Sequence, residues 1–191
     1  MRRKLCLIAS ICCLMLVCGS VRAEQKENPE YKLWAKYKPG TSTTLATSSD
    51  TAGQTSKMET KTTLSEVADD KVVVEVVTSM EAAGQKMDMP AQKIEIKKMV
   101  DVPAATPEAP KDQPNMPKPE TKTSEESVTV GAGTFKTKLT ESTTTMEGNK
   151  MMSKVWTSDE VPGSVVKMES TTDGAMKSTT KMELKAFDKK S

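Results

Sequence analysis

Residues 71–80 read Lys-Val-Val-Val-Glu-Val-Val-Thr-Ser-Met, and this stretch decides the fold class. Its even-numbered valines would share one face with Met80, and its odd-numbered valines would lie on the other face with Glu75. A run of β-branched residues with period-two alternation is typical of a β-strand. Because both faces are apolar, we expect this strand in the interior of a sheet.

Similar patterns precede and follow this strand, separated by turn sequences such as Pro39-Gly40 and Asp173-Gly174. They predict strands over residues 41–49, 55–67, 71–80, 86–98, 127–130, 134–146, 150–156, 165–172 and 175–187. Pro90 would mark a bulge or a sheet edge. Residues 24–30 are polar and are expected to be loose, whereas Tyr31 to Tyr37 fits a strand or a helical turn. The prediction is a mainly β chain arranged as an antiparallel meander.

One segment breaks the strand pattern. Residues 101–126 carry six prolines among Lys, Glu and Gln, with almost no large apolar residue. Such a composition predicts a linker or a long exposed loop. The predicted organisation is therefore a leader over 1–23, an N-terminal meander half over 24–100, this Pro-rich segment, and a C-terminal half of the same domain over 127–188.

The leader has the features of an export signal. Three basic residues follow Met1, residues 5–19 are almost wholly apolar, and Ala23 ends the segment. This order is typical of a secretory signal peptide cleaved after Ala23. An uncleaved anchor would need about 20 apolar residues, more than this run provides. A lipoprotein acylated on Cys18 is the other alternative, although Val17 fits poorly before such a cysteine. We expect an exported protein, periplasmic or secreted, with no membrane span after cleavage.

Cleavage changes the chemistry that is available to the chain. All four cysteines lie within the first eighteen residues, and the sequence has no histidine. Loss of four basic residues leaves 24 basic against 26 acidic residues, a net charge of about −2. Without a basic excess, nucleic-acid binding is not expected. Without His or Cys, the common catalytic triads and the imidazole or thiolate metal sites are excluded.

The other enzyme signatures are missing as well. The turn Gly131-Ala-Gly133 lacks the later Gly and Lys of phosphate-binding loops, and Asp69-Asp70 lacks the alternating spacing of a calcium loop. We therefore predict a non-enzymatic protein with no cofactor and no metal.

Methionine is the unusual component of the mature chain, with twelve residues remaining after cleavage. Three uses are open. Methionine can fill a core that is short of Leu and Phe, or line an adaptable apolar ligand surface, or bind Cu(I). No compact Met-x-x-Met cluster occurs along the sequence, although Met87-Asp-Met89 and Met151-Met152 are close pairs.

Part of the second half resembles a known family. It contains Ala132-Gly133-Thr134-Phe135-Lys136, then Lys154-Val-Trp156-Thr-Ser158, then a Val161-Pro162-Gly163 loop and Lys167-Met-Glu169. This order over residues 127–187 resembles bacterial exported domains of the LolA/LolB-like superfamily, the lipoprotein localisation factors, and their uncharacterised relatives. The resemblance implies a strongly curved antiparallel sheet that forms an open half-barrel, whose concave face can hold a lipid or an acyl chain.

These observations lead to one functional hypothesis and one alternative. The chain is predicted to bind a lipid or another apolar ligand on a concave sheet face. The residues expected to line that site are Met58, Met80, Met168, Met176 and Met182, with Trp156 closing one end. The other interpretation of Trp156, which we prefer, is an anchor in the core at the end of the sheet. The alternative is a structural or protein-interaction component of the cell envelope, with envelope proteins as partners and no small-molecule ligand.

Overall fold

A computed structural model describes residues 24–82, 84–102, 119–146, 148–174 and 177–190. The described chain contains β1 (Glu24–Glu27), α1 (Pro29–Trp34), β2 (Ser42–Thr51), β3 (Gln54–Val67), β4 (Lys71–Ala82), β5 (Gln85–Asp88), β6 (Gln92–Lys97), β7 (Met99–Val102), β8 (Glu120–Val130), β9 (Gly133–Met146), β10 (Asn149–Thr157), β11 (Val165–Asp173) and β12 (Ser178–Asp188).

Ten of these strands form one open antiparallel sheet. Its order is β5-β4-β3-β2-β12-β11-β10-β9-β8, and β6 also pairs with β4. The strands β1 and β7 form a separate two-stranded sheet. This arrangement confirms the predicted fold class, a mainly β chain built as an antiparallel meander.

The two predicted halves belong to a single sheet. Strand β2, the first of the meander, pairs with β12, the last, over Ser178 to Asp188. The sheet also curves, because the β8–β9 turn reaches back to β12, where Ala132 N donates to Leu184 O at 3.1 Å. The β8–β9 turn lies close to β12 at Gly131, where an added Cβ would lie 3.0 Å from the main-chain oxygen of Lys185. A side chain at this turn would push the two segments apart.

The short helix α1 covers one end of the sheet. Asn28 caps it by accepting a hydrogen bond from Glu30 N at 3.0 Å, and Pro29 occupies its first turn, where no main-chain donor is needed. Tyr31 and Trp34 from the helix pack against the sheet residues Leu64, Val72, Val74 and Ile96. The second core cluster contains Phe135, Val161, Val166 and Leu184, and Phe187 packs against both clusters.

Two local expectations need correction, and one choice that was left open is decided. Residues 24–30 are not loose, because β1 pairs with β7 and α1 begins at Pro29. The segment from Tyr31 to Tyr37, which fits a strand or a helical turn, begins as helix. Its aromatic residues Tyr31 and Trp34, three positions apart, both lie in the core. The predicted linker is partly strand, because β8 begins at Glu120 and pairs with β9 along its whole length. Residues 103–118, with five of the six prolines of that segment, lie outside the described chain.

Candidate functional site

Four of the predicted methionines lie side by side across the sheet. Met80 is directly opposite Met58, Met58 is opposite Thr47, Thr47 is opposite Met182, and Met182 is opposite Met168. Residues that face each other across antiparallel strands project on the same side of a sheet. We call these five residues the methionine row, and the side on which they lie the methionine face.

The methionine row is accessible from solvent. Met58, Met80, Met168 and Met182 are all half-buried, so their side chains are neither core nor fully exposed. The row continues to Met87 on β5, opposite Met80, and to Val155 on β10, opposite Met168. A strip that is apolar except at Thr47 therefore crosses seven strands of the sheet.

Polarity changes along the strands on either side of this row. Toward α1, the next residues on the methionine face include Leu45 and Leu184, which are directly opposite each other. Away from α1, the next residues form a row of small hydroxyl side chains, in which Ser49 and Thr180 share a hydrogen bond of 3.0 Å. The face thus runs from an apolar end at the helix to a hydroxyl-rich end at the far turns.

A small cleft opens on the same face next to the helix. Its volume is about 160 Å³, and its apolar lining includes Trp34, Leu45, Val76, Ile94 and Leu184. Pro162 and Gly163 of the β10–β11 loop close its other side. Leu45 and Leu184 are each two residues from the methionine row along their strands, so the cleft and the row adjoin.

Trp156 lies on the other side of the sheet. Its neighbour Val155 belongs to the strip described above, and consecutive residues of a strand project to opposite faces. Trp156 is only 7% exposed, its Nε1 donates to the carboxylate of Glu126, and the Lys167 ammonium lies 5.0 Å from its ring centroid. Its contacts anchor β10 to β8 and β11, and they do not bring it to the methionines.

The remaining predicted site residue, Met176, lies outside the described residues. The structure also adds residues that the prediction omitted, since Met87 and Met89 project on the methionine face beside Met80. Met89 N donates to Thr78 O at 2.8 Å, which extends the β4–β5 register. The alternating Met-Asp-Met spacing was the available signal, because it places both methionines on one face of a strand.

The face opposite the methionines carries charges of both signs. Along one line across the strands, Lys122, Glu141, Lys154, Glu169 and Lys181 follow one another. Lys154 Nζ lies 2.6 Å from Glu141 Oε1. The hydrogen bond from Lys154, and then its charge, lowers the pKa of Glu141, while the same contact raises the pKa of Lys154. Alternating, paired charges are typical of a solvated surface.

A wider groove of about 520 Å³ also lies mainly on this charged side. It is lined by Lys57, Lys86, Lys181, Glu59, Glu81 and Glu183, among others. Met58 and Met80 also border it, although the register directs their side chains to the methionine face. With three lysines and three glutamates, the groove fits an apolar ligand less well than the smaller cleft does.

Within the described ranges, no group of three or more His, Cys, Asp or Glu could hold a metal ion. No helix of the described chain is long and apolar enough to cross a membrane.

No protein-family model and no curated protein sequence matches this chain. Two crystal structures are similar in fold. One is a "putative lipoprotein" from Parabacteroides distasonis, with a TM-score of 0.40 and 13% identity over 78% of this chain and 97% of the other. The second is a "putative exported protein" with a YmcC-like fold from Bacteroides fragilis, with a TM-score of 0.44 and 11% identity over 80% of this chain and 97% of the other. Both likenesses are too weak to carry a conclusion about this chain.

Proposed function

We propose that this chain is an exported, non-enzymatic protein that binds a lipid or another apolar ligand on the methionine face. The observation that carries the proposal is the row Met80, Met58, Met182 and Met168, which lies half-buried across adjacent strands beside the apolar cleft. Export is inferred from the leader sequence, in which basic residues precede an apolar run that ends at Ala23.

The composition of the face suits a flexible apolar ligand. Methionine is unbranched and has three rotatable bonds, so a row of methionines can adapt to chains of different shape. The cleft under α1 is small, about 160 Å³, so a long chain would extend from the cleft onto the row. The hydroxyl residues beyond the row, including Ser49 and Thr180, would contact the polar end of such a ligand.

The first test is native mass spectrometry of the protein purified from its own host. A retained mass that is released by organic solvent is the expected result. The second test is titration with parinaric acid, a fluorescent fatty acid, which should saturate at one molecule per chain. A clean apo mass together with no parinaric acid binding would overturn the proposal and favour the structural alternative.

A matched pair of variants locates the site. Met182→Lys places a charge in the centre of the methionine row and should weaken parinaric acid binding by at least about tenfold, because burying an unpaired ammonium is unfavourable. Met152→Lys places the same charge on β10, where Met152 is 39% exposed and shares the opposite face with Trp156. This control should bind normally, and equal losses in both variants would contradict the assignment.

A further inference from the structure

Four methionines lie beside one another at one edge of the sheet. Met80 on β4 has Met58 opposite it on β3 and Met87 opposite it on β5. Met89 follows two residues after Met87 and is bound through its main chain to Thr78 on β4. All four side chains therefore project on the methionine face of three adjacent strands. We call them the edge methionine cluster.

The spacing allows several sulfurs to approach one point. Neighbouring strands are about 4.8 Å apart, and directly opposite Cβ atoms are about 5 Å apart. Met80 lies between Met58 and Met87, so the three are consecutive in one line across the strands. Each side chain has three rotatable bonds, which is enough reach for the outer thioethers to turn toward the central one.

The edge methionine cluster is also open to an ion from solvent. Met87 is 64% exposed and Met89 is 42% exposed, whereas Met58 and Met80 are half-buried. Only four residues long, β5 lies at one end of the sheet order. An ion would enter at this edge and reach Met80 without any opening of the core.

The chemistry of the donors selects the ion. Thioethers are neutral, soft ligands that favour Cu(I) over hard or borderline divalent cations. The chain has no histidine, and all its cysteines lie in the leader. Competing sites of three or more His, Cys, Asp or Glu are absent from the described ranges. The strands thus present sulfur donors at this edge without the ligands that zinc prefers.

We infer that the edge methionine cluster binds one Cu(I) ion, with Met58, Met80 and Met87 as ligands and Met89 as a fourth donor. This is a function beyond apolar ligand binding, although both sites use Met58 and Met80. The two can be separated because leucine has nearly the shape and polarity of methionine but no sulfur. Replacing Met80 with Leu removes the central donor and keeps the face apolar.

The test is an anaerobic titration of the mature protein with Cu(I) in competition with bicinchoninate, a chromophoric Cu(I) chelator. The wild type should retain one Cu(I) per chain, and X-ray absorption at the copper edge should show sulfur as the main ligand. Met80→Leu and Met87→Leu should each lower the affinity by at least about tenfold, since even changes outside the first ligand shell cost that much. Met87→Leu is informative even if Met80→Leu disturbs the sheet, because Met87 is largely exposed.

Met151→Leu and Met152→Leu are the matched controls, since both residues are exposed methionines on β10, far along the sheet order from β5. Their affinity for Cu(I) should equal that of the wild type. Failure of the wild type to compete with the chelator, or equal losses in cluster and control variants, would overturn the inference. Parinaric acid titration of the wild type is a separate measurement from this one, so failure of either test leaves the result of the other standing.

Discussion

The Tyr37 hydroxyl donates a hydrogen bond to the main-chain oxygen of Glu160, 2.6 Å away, across 123 residues of sequence. This bond ties the segment after α1 to the β10–β11 loop, and both α1 and that loop border the apolar cleft. Burial, and then the charge of Glu160, raises the pKa of Tyr37 above its ordinary value. The phenol therefore remains protonated and able to donate throughout the neutral range.

Replacing Tyr37 with Phe should lower the free energy of unfolding by about 1 kcal/mol, the usual contribution of one such hydrogen bond. The edge contact between the Tyr37 ring and Phe187, with centroids 5.9 Å apart, would be retained. Urea denaturation followed by circular dichroism measures the change. Tyr31→Phe provides a comparison, because Tyr31 Oη donates to Ala68 O at 3.0 Å and should give a similar loss. No loss in either variant would mean that these bonds do not stabilise the folded chain.

Leu184 should be one of the most costly positions to truncate. It is fully buried on β12, opposite Leu45, in the cluster that joins the two halves of the sheet. Leu184→Ala would remove packing and leave a cavity, and such changes cost about 2–5 kcal/mol. The matched control is Val77→Ala on β4, where the side chain is 42% exposed and the loss should be below about 0.5 kcal/mol. Similar losses in both variants, measured in urea, would contradict this account of the core.

Much of the sheet was predictable because the alternation of residues between two faces can be recognised within a single strand. The alternating pattern of residues 71–80 identified β4 as a strand. Valines on both of its faces indicated an interior position, because such strands are typically covered on both sides. The single strand predicted over residues 86–98 is interrupted around Pro90, since β5 and β6 pair with different parts of β4. The end of β8 was predicted as a strand over residues 127–130, but its first part was missed because residues 120–126 are polar and exposed, so neither face carries a burial signal.

The site was only partly predictable because a one-residue change of register reverses the face of every side chain. The sequence shows on which face of its own strand each of Met58 and Met80 lies. It does not show that the two residues are directly opposite each other. The bulge between Leu184 and Ala186 also cannot be recognised from the sequence. It shifts the alternation of side chains by one residue, so that Phe187 lies on the core side. Trp156 was grouped with the methionines on chemical grounds, whereas alternation along β10 puts it on the other face.

The ion pair between Lys154 and Glu141 predicts a pH effect with a definite sign. Because Lys154 lowers the pKa of Glu141 in the folded state, folding should be favoured above the ordinary Glu pKa, and this contribution should be lost as pH falls through the lowered value. Carbon NMR titration of the carboxyl groups should show the shift in the wild type. In Lys154→Met the pKa of Glu141 should return toward its ordinary value, whereas Lys177→Met, a charge removed elsewhere, should leave it unchanged. About 1 M salt should reduce the shift, since the pair is exposed.

The chain's two tryptophans allow ligand binding to be assigned to one face of the sheet. Trp34 lines the apolar cleft, whereas Trp156 lies on the opposite side with Glu126 and Lys167. If palmitic acid, which does not absorb at these wavelengths, binds on the methionine face, the emission of Trp34 should shift and that of Trp156 should not. Trp156→Phe isolates the first signal and Trp34→Phe the second, so each can be titrated alone. A shift confined to Trp156 would place the ligand on the opposite face, in the cleft lined by its partner Glu126 with Thr137 and Thr157, and would refute binding along the methionine row.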